Sequence, residues 1–152
     1  MKSITKSTIA FFAFLMLMFV SANSAKAADC SQSVDKMCKA FNLMTAQVNS
    51  AQSFEDLGNL DFDGAAAKAG LEDIPEECKE YVLTTTDKAR LVKSFNGFVD
   101  SMANKMYALG QGQISREMIG QQLNPMKDAF KKAVSGATTM DNLVDRLDPV
   151  FN

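Results

Sequence analysis

Residues 84–112, TTTDKARLVKSFNGFVDSMANKMYALGQG, decide the fold. Leu91, Val92, Phe95, Phe98, Val99, Met102, Met106 and Leu109 recur at steps of three and four, the spacing of one face of an α-helix. A half-buried strand would alternate every second residue instead. The threonine cluster offers a hydroxyl to the first unpaired N–H groups, and Asp87 lies where the helix dipole favours an anion. Gly110-Gln111-Gly112 stops the helix. Gly97, in its interior, costs about 1 kcal/mol against alanine and points to a close packing contact.

The same period extends outward. Val34, Met37, Cys38, Phe41, Met44 and Val48 mark a helix from about Ser31 to Ala51, with Ser31 or Ser33 as cap. Ser115 opens a third helix carrying Met118, Ile119, Leu123, Met126, Phe130, Ala133 and Val134. Its stripe keeps phase across Pro125, so a kinked helix, or two collinear ones with Asn124 as cap, fits equally well. Thr138 or Thr139 caps a last helix bearing Met140, Leu143, Val144 and Leu147, which Pro149 is expected to end. The acidic middle holds short pieces: a Ser53/Asp56-capped turn ending at Gly58, an Asp-capped segment stopped by Gly70, and a helix starting at Ile74-Pro75-Glu76-Glu77. On that helix Ile74, Cys78, Tyr81 and Val82 share a face. No stretch alternates cleanly as a strand, and no repeat is visible. The expected fold is all-α: a single-domain, bundle-like array of about four principal helices plus short helices, stapled by a disulfide.

Residues 1–27 speak to address. Lys2 and Lys6 form a positive start, Ile9 to Val20 is an unbroken apolar run of 12 residues, and Ala25-Lys26-Ala27 places small residues at a cleavage site. This reads as a secretory signal peptide, and the protein is expected to be periplasmic or secreted. The run is shorter than the roughly 20 residues that span a bilayer. Asp29 beside Cys30 does not suit lipidation. The domain is then 28–152, long enough for one core.

Processing removes Lys2, Lys6 and Lys26, which leaves 13 basic against 18 acidic residues and a net charge of −5. An acidic chain without a basic stripe repels phosphate backbones, so nucleic-acid binding is not expected. No polybasic amphipathic helix is present to hold an anionic membrane, so no stable membrane anchor is expected after cleavage. The chain has no histidine. A Ser–His–Asp or Cys–His nucleophile therefore cannot be assembled, and the commonest zinc and copper ligand is missing. No catalytic residue, cofactor or metal is assigned.

Cys30, Cys38 and Cys78 remain for an oxidising compartment. Cys38 and Cys78 both fall on apolar faces, so Cys38–Cys78 is the expected disulfide, closing a loop of about 40 residues and stabilising by about 3–4 kcal/mol. Cys30–Cys78 is nearly as good. Cys30–Cys38 is the least favoured pairing, because two cysteines eight apart on one helix lie about 12 Å apart along its axis. An unpaired Cys30 is available for an intermolecular disulfide.

Three patterns resemble sites. Asn59-Leu60-Asp61-Phe62-Asp63-Gly64 matches the first half of a calcium loop, but Gly70 stands where a bidentate glutamate belongs. The better reading is an N-cap by Asp61 or Asp63, with Leu60 and Phe62 packed inward. Glu72, Asp73, Glu76, Glu77 and Glu80 read as a solvated face, since carboxylate catalysis needs two carboxyls across a cleft. Met37, Met44, Met102, Met106, Met118, Met126 and Met140 alternate with Phe, Val and Leu as core filler does. The one candidate groove combines Phe98, Met102, Met106, Met118 and Met126, flanking the flexible 110–113 connection and the Pro125 kink. The expected function is that of an exported, non-catalytic binding or interaction protein for an apolar ligand or a partner helix. A structural or stress-protective envelope protein and a carboxylate-based hydrolase are the alternatives.

Overall fold

The computed structural model describes residues 29–151. The expected signal peptide, and the cleavage after Ala27 expected with it, lie outside the described residues. The elements in chain order are α1 (Ser31–Ser50), α2 (Phe54–Gly58), α3 (Phe62–Ala69), 3-10 turns at Leu71–Asp73 and Glu76–Glu80, α4 (Thr85–Leu109), α5 (Arg116–Gly136) and α6 (Met140–Phe151). The fold is all-α. Four long helices pack with short ones between α1 and α4, and among the described residues the only β pairing is an isolated bridge between Val82 and Thr139.

Helix starts after α1 follow polar residues placed before each stripe. By contrast, α1 begins after Cys30 with no side-chain cap, so neither Ser31 nor Ser33 caps it as expected, both lying inside the helix. Thr84 and Asp87 form a capping box, and so do Ser53 and Asp56. Asp61 accepts a hydrogen bond from the Gly64 N–H at 2.8 Å, and the Ser115 hydroxyl accepts one from the Met118 N–H at 3.1 Å. Gly70 ends α3 with φ +76°, a left-handed conformation that glycine adopts without strain. Tertiary contacts satisfy other ends. Lys105 Nζ donates to the Asn49 and Ala51 carbonyls at the C-terminus of α1, where the dipole favours a cation. The Gln47 amide both donates to the Asp61 carbonyl and accepts from the Asp61 N–H, tying α1 to the start of α3.

Phenyl rings form the middle of the core. Phe95 of α4 stacks on Phe130 of α5 with centroids 4.0 Å apart, and Phe41 of α1 meets both edge-on at 5.5 and 5.8 Å. Phe62 of α3 meets Phe98 at 6.4 Å, also edge-on. Offset and edge-on geometries are the ones aromatic quadrupoles favour.

Three expectations are corrected. The disulfide joins Cys30 to Cys78, not Cys38 to Cys78, and Cys38 is a buried free thiol. Cys30 immediately precedes α1 and Cys38 lies two turns inside it, and what decides is the level at which the Glu76–Glu80 turn meets α1. It meets the first residue before the helix, about two turns from Cys38. The loop of 48 residues carries about 4 kcal/mol on the chain-entropy model. Second, α6 runs past Pro149 to Phe151. A proline withholds one donor, from the carbonyl four residues earlier, and here that residue is the solvent-exposed Asp145. Exposed Gln121 stands in the same relation to Pro125, and α5 is one continuous helix. Third, the chain is extended from Tyr81 to Leu83. Leu83 N–H donates to the Thr138 carbonyl and Met140 N–H to the Tyr81 carbonyl, which leaves Val82 exposed rather than on the face of Ile74 and Cys78.

Asp87 joins this extended segment to α4. It is buried and accepts from the Thr84 hydroxyl at 2.7 Å, the Thr84 N–H at 2.9 Å and the Tyr81 hydroxyl at 3.1 Å. Burial pushes its carboxyl up, but these donors outweigh burial and hold it below the usual carboxylate range. Burial, and then the carboxylate at hand, push the Tyr81 phenol up. A lowered carboxyl contributes stability present above its unfolded pKa of about 4, and that stability is lost as pH falls through the folded value. A raised phenol contributes stability present below about pH 10, lost as pH rises through the folded value. Asp87→Ala should cost about 1–2 kcal/mol at neutral pH. It should also flatten the loss of stability on acidification below pH 5 in urea melts. An unchanged acid limb would show that Asp87 is not the group responsible.

The thiol inventory gives a second expectation. The oxidised protein should present no maleimide-reactive thiol when folded and one, on Cys38, when denatured. A tryptic peptide linking Cys38 to Cys78 would contradict the pairing.

Candidate binding groove

The residues singled out from sequence do not line one open groove. Phe98, Met102 and Met106 are 2–3% exposed and belong to the closed core. Met126 packs against that core, while Met118 is 50% exposed. Truncating Met106 to alanine should therefore cost about 2–5 kcal/mol in thermal melts. Truncating Met118 should cost under about 1 kcal/mol, and equal costs would contradict this placement.

An open groove lies instead on the next face of α4, against α5. Its volume is about 920 Å3. Half-buried Val92 and Asn96 of α4 lie at its base. Exposed Ala89, Lys93, Gly97 and Asp100 and half-buried Lys88 of α4, with exposed Lys131 and Ser135 of α5, complete its lining. These α4 positions repeat at steps of three and four beside the core stripe. Because both helices are fixed by the Phe95–Phe130 stack, this neighbouring face is held at a set width. From Thr85 to Asp100 it runs about 22 Å along the helix.

Gly97 does not make the packing contact expected of it. A methyl group there would meet no atom within 4 Å. The neighbouring Asn96 has its Oδ1 buried without a hydrogen-bond partner, a state that typically costs about 1–3 kcal/mol. Lys127 pairs with Asp100 at 2.7 Å, and Lys88 Nζ donates to the Ser135 carbonyl at 3.4 Å. Among the described residues Lys93 and Lys131 make no ion pair. The rim is thus positive on a chain whose formal net charge is −2. Its one carboxylate is held by Lys127, so the groove does not hold the facing carboxylate pair that hydrolysis of a glycosidic bond requires.

Other polar clusters are engaged in local structure. A second pocket, lined by Gln47, Asp56, Asn59 and Asp61 among others, has these groups turned to capping and to the Gln47 clamp. Leu60 and Phe62 of the Asn59–Gly64 loop are buried, and Asp61 is the N-cap. Glu72, Asp73, Glu76, Glu77 and Glu80 are exposed, with Glu76 paired to Lys79. Among the described residues no three metal-ligating side chains gather. Arg116 lies over the ring of Tyr107, 4.1 Å from its centroid.

The sequence analysis missed the groove because its uncharged lining on α4 is small and mixed, with an alanine, a valine, an asparagine and a glycine. The available signal was Gly97 itself, a helix-weakening residue in the middle of a long helix. Comparison of the chain with protein-family models, with curated proteins and with solved structures finds no match.

Proposed function

We propose that this is an exported, non-catalytic binding protein that docks a partner in the groove between α4 and α5. The observation that supports the reading is the groove's composition. Val92 and Asn96 lie at the base of an open groove between α4 and α5, Lys93 and Lys131 line it without an ion pair among the described residues, and Gly97 leaves open space beside them. Concave, largely apolar surfaces with a few placed polar groups are the usual form of a binding site. Export to the periplasm or beyond the cell is supported by the signal-peptide pattern of residues 1–27 and by the Cys30–Cys78 disulfide. No described helix is long and apolar enough to cross a membrane.

A photo-crosslinking amino acid placed at Lys93, compared with one at exposed Lys39 of α1, tests the reading in the producing cell. The expected result is a discrete adduct from position 93 that is absent from position 39. No adduct, or equal adducts from both positions, would reject the groove as the docking site.

A further inference from the structure

Resting on that reading, we infer that the occupant of the groove is an amphipathic helix of another protein, with a narrow face of small and apolar residues flanked by carboxylates. Shape is the first argument. The groove is open along its length and about 22 Å long, which matches about four turns of a helix laid beside α4. Gly97 and Ala89 stand eight residues apart on the exposed side of α4 and project little or no side chain. Small residues at such spacing let a second helix come close, and at Gly97 the space is empty.

Charge is the second argument. Lys93 of α4 and Lys131 of α5 both line the groove with no ion pair among the described residues, and Lys88 lies about one turn from Lys93. Asp100 is already matched by Lys127. An occupant that placed carboxylates on both flanks of its apolar face would meet a lysine on each side. A basic helix would meet repulsion instead, so the same rim gives selectivity as well as attraction. An anionic membrane also attracts lysines, but a groove running between two helices fits one docked helix better than it fits a flat surface.

The test uses the intact protein and two synthetic helical peptides of about 15 residues. One carries Ala and Leu at i, i+3, i+4 and i+7 with Glu on both flanks. The other has Lys in place of every Glu. Titrations are read by amide NMR shifts and by fluorescence anisotropy. The acidic peptide should bind and shift the signals of residues 89–97 and 131–135, and the basic one should not. Lys93→Glu with Lys131→Glu should weaken the acidic peptide by about tenfold and admit the basic one. Gly97→Leu should weaken it by about tenfold while raising Tm by about 2–4 °C, which shows that the variant is folded and that the groove is filled. Absence of acidic-peptide binding would overturn the inference. So would affinity unchanged in both variants, or binding only to phosphatidylglycerol vesicles that the peptide does not displace. If the position-93 adduct forms in cells but the acidic peptide does not compete with it, the helix class is wrong and the docking site stands. If neither occurs, both fall.

Discussion

The arrangement depends on one junction of three phenyl rings. Phe95 and Phe130 stack, and Phe41 closes the junction edge-on, so α1, α4 and α5 meet at a single set of contacts. All three rings are essentially inaccessible to water. Each comes from a different stripe, and each stripe makes sense only when the other two cover it. Around the junction Val34, Met44, Leu91 and Val134 complete the burial without leaving solvent access. The consequence reaches beyond stability. With α4 and α5 held at the spacing of stacked rings, the face beside their contact is a fixed surface.

Polar groups attach the short elements to this frame. The Gln47 clamp brings the start of α3 onto α1, and Lys36 Nζ donates to the Asp73 carbonyl at 3.2 Å in the next turn. The disulfide fixes the Glu76–Glu80 turn at the start of α1. Asp87 then gathers Thr84 and Tyr81 at the start of α4. These devices act between α1 and α4, where the elements are short and each offers only a few buried apolar side chains.

Much of this was legible in the sequence, for a physical reason. The four long helices carry unbroken three- and four-residue periods, and those after α1 also carry polar caps; both are local signals. The bounds of α1, α4 and α5 accordingly fall within a residue or two of those read from the stripes. Asp61 as a cap and Leu60 and Phe62 as core were equally local. What was not legible depends on how separate elements meet. Cys30 and Cys38 differ by a level along α1 that only the docking of a distant turn decides. Val82 turns outward because Tyr81 and Leu83 pair with residues more than fifty positions away. Met102 and Met106 carry the same side chain whether they close a core or line a groove. The groove was missed because its features are an absence of side chain at Gly97 and charges that are ordinary until the packing of α5 on α4 puts Lys131 and Lys93 in the lining of one groove.

The central claim is that α4 and α5 form one rigid, closed core whose binding surface lies outside it. Amide hydrogen exchange of the free protein measures this directly. The account predicts that the slowest amides flank Phe41, Phe95 and Phe130 and exchange together, at the rate of global unfolding. It also predicts that α5 is as protected as α4 through residue 134. Independent, fast exchange of α5 from Pro125 onward would mean that the helices separate without unfolding. That result would contradict a preformed groove and return Phe98, Met102 and Met106 to consideration as a surface that opens.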